Sequence, residues 1–208
     1  MSTAAKPKHS RAFWLKQLHT WHWVSAALCL VGMLLFAITG ITLNNAAHIE
    51  ASPRVTKASA ELPAELRRNL MPPAGDKGPL PASAAGWIRQ HMSVDVTGAE
   101  GEWSDGEVYV ALPRPGGDAW LTVDTETGDI AYELTDRGLV SYLNDLHKGR
   151  QTGTAWSWFI DLFAVACIVF SVTGFFLLQL HARKRPATWP MVALGFVIPL
   201  LLIILFIH

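Results

Sequence analysis

Val24-Ser-Ala-Ala-Leu-Cys-Leu-Val-Gly-Met-Leu-Leu-Phe-Ala-Ile-Thr-Gly-Ile-Thr-Leu43 is a run without a single charged residue. As an α-helix rising ~1.5 Å per residue, it matches the ~30 Å hydrocarbon core of a bilayer. Working outward, two further runs are of the same kind, Trp156–Leu180 and Trp189–Ile207, and Asp161 is the only charged side chain in either. A soluble core helix rarely continues so long with so little charge. The reading is an α-helical integral membrane protein with three transmembrane helices and a small α+β domain inserted between the first two. A cleaved signal peptide competes for the first run. That run exceeds the ~7–15 residues of a typical signal-peptide core, so an uncleaved span is expected.

The chain has 208 residues, with 17 Lys and Arg against 17 Asp and Glu. That balance hides an asymmetry. Lys6, Lys8, Arg11 and Lys16 precede the first run without an acid, and Arg183, Lys184 and Arg185 separate the second from the third. Residues 44–155 hold ten basic and sixteen acidic residues. Short basic flanks mark the cytoplasmic side. The N-terminus and the 181–188 loop are therefore expected inside. The middle segment and His208 are expected outside, which in a Gram-negative cell is the periplasm, with the chain in the inner (cytoplasmic) membrane. The basic residues flank membrane spans rather than forming an aromatic-interleaved patch, so no nucleic-acid partner is expected. Cys29 and Cys167 both lie within apolar runs, which leaves no disulfide framework for the exported part.

The expected organisation is a basic tail and lead-in helix over 1–22, a first transmembrane helix over 23–43 and an exported tether over 44–80. A small α+β unit follows over 81–136, then a short helix and entry loop over 137–153. A second span over 154–180, a basic loop over 181–188 and a third span over 189–208 complete the chain. The tether reading rests on Pro53, Pro63, Pro72, Pro73 and Pro79. In the α+β unit, 81–91 reads as a helix and Glu102–Leu112 as a strand. Ala119–Val123 and Ile130–Leu134 read as a hairpin around Asp124–Asp129. The unit is thus expected to be a helix followed by a three-stranded meander. In the third span Pro199 predicts a kink. Asp161 is either shallow and solvated or paired with Lys148 or Arg150.

Histidines gather at the ends of the first two spans. His19, His22 and His181 belong to the inner face on this topology, and His48 and His147 to the outer one. His9 and His91 read as ordinary surface residues, and His208 has no sequence context. An internal echo joins the two spans, Phe36-Ala-Ile-Thr-Gly40 and Phe170-Ser-Val-Thr-Gly174. Gly40 and Gly174 would admit a neighbouring backbone or a flat cofactor. His22 and Gly40 are 18 residues apart, five helical turns, and His181 and Gly174 are seven apart, about two turns. Each histidine therefore shares a helix face with a Thr-Gly glycine. Antiparallel spans would bring the histidines together as one inner and one outer set. Haem needs axial imidazoles from facing helices, apolar and aromatic walls, and cations for its propionates. Lys148 and Arg150 beside His147, and Arg183, Lys184 and Arg185 beside His181, could serve as those cations. The expected cofactor is haem b, with no metal beyond the haem iron, since no HxxxH or HExxH pattern occurs. Interfacial packing is the competing account of these histidines.

Two segments resemble a known family. Leu18-His-Thr-Trp-His-Trp23 with Leu35–Leu43, and Leu146-His-Lys-Gly-Arg150 with Val169–Leu177, resemble the membrane helices of PepSY-associated transmembrane proteins. The 81–136 unit is similar to a single PepSY module. That family includes inner-membrane haem proteins acting as ferric-siderophore reductases. By resemblance, His19 and His147 match its His-x-Trp and Leu-His-x-Gly positions, while His22 and His181 look like features of a shorter subgroup. The chain departs from the larger reductases in having three spans and one PepSY unit. The resemblance implies a haem-binding electron-transfer protein serving reduction of ferric-siderophore or other periplasmic iron complexes, either as a reductase or as its electron-transfer subunit. No GxGxxG occurs, so the donor would be quinone or a redox protein. His22 to His48 is 26 residues, ~39 Å if helical throughout, so a relay needs an intermediate cofactor or a second subunit. The alternative is a non-enzymatic, membrane-anchored PepSY binding module that contacts a periplasmic peptidase or transporter.

Overall fold

The computed structural model describes residues 9–49, 52–73 and 75–207. Three of its helices are long and apolar enough to cross a membrane: α1 (His9–Asn44), α5 (Gly153–His181) and α6 (Thr188–Phe206). The remaining strands and α-helices lie between α1 and α5. They are β1 (Arg54–Glu61), α2 (Ala64–Arg67), β2 (Lys77–Pro79), α3 (Ala82–Met92), β3 (Glu100–Ser104), β4 (Glu107–Ala111), β5 (Gly117–Asp124), β6 (Asp129–Asp136) and α4 (Leu139–Lys148). The residues fall into two compact units, Met1–Leu35 with Trp158–His208, and Phe36–Ser157.

In the first unit α1 and α5 pack antiparallel, because small residues on one helix admit bulky ones from the other. A Cβ built on Gly32 would sit 2.3 Å from the Phe163 ring, so only glycine fits that crossing. One turn away the Cys29 and Cys167 side chains approach one another, and Cys29 is fully buried. Further along, His22 of α1 meets Phe170 of α5. Helix α6 touches α5 through an edge-to-face contact of Trp189 and Phe175, with ring centroids 5.6 Å apart. Pro190 falls in the first turn of α6, where a missing N–H costs little, and Pro199 lies in its interior. The outward faces of all three helices are apolar and exposed, as lipid-facing surfaces are.

The second unit carries a six-stranded antiparallel sheet in the order β1-β6-β5-β4-β3-β2. This corrects two expectations. Residues 44–80 are not a tether throughout: β1 pairs with β6 over eight residues, and β2 pairs with β3. The prolines bound these elements rather than dissolving them, with Pro53 before β1, Pro63 before α2 and Pro79 closing β2. The meander is likewise larger than expected. The stretch read as one strand over 102–112 is a hairpin, with Ser104 facing Glu107 across Asp105 and Gly106. Gly106 takes a φ of 82°, a left-handed conformation glycine adopts without a Cβ clash. One sheet face is buried under α3. Its core includes Ile88, Val108, Val110, Leu121, Val123 and Ile130, and strict alternation in β4 and β5 puts the polar residues on the other face.

Helix α4 is seated by two buried polar side chains. Asp145 accepts the Gly116 N–H at 2.8 Å, fixing the helix to the β4–β5 connection. Asn144 accepts the Thr42 hydroxyl at 2.8 Å, fixing it to the last turns of α1. The helix ends in a glycine cap. Gly149 has φ 66°, its N–H donates to the Leu146 carbonyl, and the Arg150 N–H reaches back to the Asp145 carbonyl. The indole N–H of Trp156 also donates to the Leu146 carbonyl, at 2.9 Å.

Candidate functional site: two histidine cradles

The seat of α4 fixes where His147 points. Its Nδ1 is hydrogen-bonded to Thr39 Oγ1 at 2.7 Å. The ring lies against Phe36, centroids 4.9 Å apart, and its Cε1 would be 3.6 Å from a Cβ on Gly40. Phe36, Thr39 and Gly40 thus form three sides of a pocket for one imidazole. Gly149 matters here as the stop that leaves His147 in the last turn of α4.

The same three residue types hold a second imidazole in the first unit. His22 Nδ1 lies 3.1 Å from Thr173 Oγ1 and 3.2 Å from the Phe170 carbonyl oxygen. The ring stacks on Phe170 with centroids 4.7 Å apart and an interplanar angle of 14°. A Cβ on Gly174 would come within 3.1 Å of its Cε1, tighter than nearly all real contacts. The Phe-x-x-Thr-Gly echo is therefore one local structure used twice, each time by a histidine from another segment. The expectation put His22 with Gly40, and His181 with Gly174, on one helix face; the imidazole that each glycine contacts comes from another segment. Gly40 lies against His147 of α4, and Gly174 against His22 of α1. The side chain from the facing segment needs the gap that a missing Cβ leaves.

His22 also lines a cleft of 640 Å³ whose wall contains Phe170, Gly174, Phe175, His181 and Arg185. Here His181 and Gly174 do share a surface, as two turns of helix require. His181 Nδ1 is bonded to the Leu177 carbonyl of its own helix at 2.8 Å. Arg185 follows a short 3₁₀ turn, Ala182–Lys184, which brings its chain back to the cleft.

His19 and His48 are exposed and have no side-chain partner among the described residues. Lys148, Arg150 and Arg183 are exposed. The side chain of Lys184, all of His208 and the tail over 1–8 lie outside the described residues. The helix that begins at His9 replaces part of the expected tail. His91 is stacked on Trp87 within α3. No group of three or more His, Cys, Asp or Glu that could hold a bare metal occurs among the described residues. Sequence reasoning missed the threonine hydroxyls and the two seating residues, Asn144 and Asp145. The repeated Phe-x-x-Thr-Gly was the signal for the first pair.

Three membrane-length helices, with a small antiparallel sheet between the first and the later two, define a membrane-anchored α+β protein. The PepSY_TM-like family model matches residues 13–208. The chain belongs to that family. No curated protein and no solved structure matches it.

Proposed function

We propose that this is a haem-binding electron-transfer protein of a bacterial inner membrane, serving reduction of ferric-siderophore or other periplasmic iron complexes. The observation that carries the reading is the cleft that joins His22 and His181. Its residues suit a porphyrin: two imidazoles for the iron, Phe170 and Phe175 as flat apolar walls, Gly174 where bulk would intrude, and Arg185 for a propionate carboxylate. Haem bound there would supply a reversible one-electron couple. The chain's own contribution is to hold the imidazoles, exclude water with aromatic and aliphatic side chains, and neutralise a carboxylate.

The second cradle supports a further position at His147, with Lys148 and Arg150 alongside in sequence and His48 as a candidate partner. On the basic-flank topology this cradle and the sheet face the periplasm, and the His22 cleft faces the cytoplasmic side. Electrons would then enter from quinone or a redox protein and leave to the iron complex, within a single copy or a homo-oligomer. The test is optical. Membranes containing overproduced protein should show a dithionite-reducible b-type haem spectrum that tracks protein amount. A colourless, correctly inserted protein would favour a membrane-anchored module that only binds a periplasmic partner.

A further inference from the structure

We infer that Thr39 and Thr173 are positioning residues, which hold His147 and His22 as the Nδ1–H tautomers and leave Nε2 as the ligating atom in both cradles. The Thr173 hydroxyl has one proton, and it is directed to the Val169 carbonyl at 2.6 Å. The Thr39 hydroxyl lies 3.2 Å from the Phe36 carbonyl, which can accept its proton in the same way. With its proton on the helix carbonyl, each threonine oxygen meets its histidine as an acceptor, and the proton between them is assigned to Nδ1. For His22 the Phe170 carbonyl gives the same answer, since a carbonyl only accepts. Neither Nε2 has a hydrogen-bond partner among the described residues, so each carries a free lone pair. A donor bond from Nδ1 also raises the basicity of the opposite nitrogen, as in metal-bound histidines generally.

The two cradles differ in a way that sharpens the inference. His147 relies on Thr39 alone for its Nδ1 bond, whereas His22 keeps the Phe170 carbonyl when Thr173 is lost. The tautomer assignment stands on these contacts, and only the ligating role of Nε2 rests on the haem reading. The test is nitrogen NMR of the full chain in nanodiscs, haem-free, with ¹⁵N-histidine. His22 and His147 should each show a protonated Nδ1 and a bare Nε2. Thr39→Val should shift His147 toward the Nε2–H form, Thr39→Ser should restore it, and Thr173→Val should move His22 less. A wild-type His147 protonated on Nε2 would overturn the inference, as would a Thr39→Val protein whose His147 resonances are unchanged. In haem-loaded protein Thr39→Val should move a midpoint potential positive. Wild-type protein that binds no haem, yet shows the expected tautomers, would overturn the haem reading and with it the ligating role of Nε2, and would uphold the positioning role of the threonines.

Discussion

A histidine seated over a glycine depends on the hydrogen atom that stands where a Cβ would be. At Gly174 the virtual Cβ already approaches the His22 ring to 3.1 Å. Gly174→Leu should therefore displace His22 and abolish the cleft, whereas Ala164→Leu, on an exposed position of the same helix, should be tolerated. Overpacking of this kind costs ~1–3 kcal/mol, and thermal unfolding in detergent at matched expression separates the two variants. Equal melting temperatures and equal ligand content would remove Gly174 from the site. Gly32 is the more severe case, since its virtual Cβ overlaps the Phe163 ring at 2.3 Å. Gly32→Ala should loosen the α1–α5 crossing by a similar ~1–3 kcal/mol, and Gly32→Ala with Phe163→Leu should recover part of the loss. A Gly32→Ala protein as stable as wild type would show that the crossing is looser than described.

At the scale of elements, α4 transmits the position of the sheet to His147. Asp145→Ala leaves the Gly116 N–H unpaired in a buried place, a loss of ~1–3 kcal/mol. It should also free α4, so amide hydrogen exchange near His147 should rise while the His22 region stays protected. Uniform protection across both regions would contradict the seating role. The β5–β6 turn offers a pH test. The N–H groups of Thr127 and Glu126 bond the Asp124 carboxylate and hold its pKa below the ordinary value. A depressed folded pKa means stability that is present above the unfolded value of ~3.9 and lost as pH falls through the folded one. Exchange at the 124–129 turn should accelerate below that range in wild type and show no such acid step in Asp124→Asn. Long apolar runs, the α3 and α4 patterns and the 119–134 hairpin were legible in the sequence because each buries a periodic face. β1 was not, because an edge strand exposed along nearly its whole length needs no hydrophobic alternation: backbone pairing with β6 makes it. The Asp105-Gly106 turn went unread inside a stretch of strand formers, although Asp-Gly is itself a hairpin signal. Of the site, the histidines and the repeated Thr-Gly could be read from spacing. Which histidine meets which glycine depends on packing between segments, and spacing along one helix carries no such information.

For the whole molecule, the basic flanks set the expected orientation. A reporter active only outside the cytoplasm, fused after His208, should be active, and one inserted in the 181–188 loop should be silent. The reverse pattern would exchange the faces assigned to His22 and His147. The account as a whole turns on whether the chain carries haem between its first two spanning helices. Its most direct test is the haem-to-protein ratio of the purified chain, measured by pyridine haemochrome for wild type and for His22→Ala, His181→Ala, His9→Ala and His91→Ala. The account predicts stoichiometric b-type haem in wild type, retained in the last two variants and sharply reduced in both His22→Ala and His181→Ala. Haem-free wild-type protein from haem-sufficient cells, or full haem in both cleft variants, would contradict it.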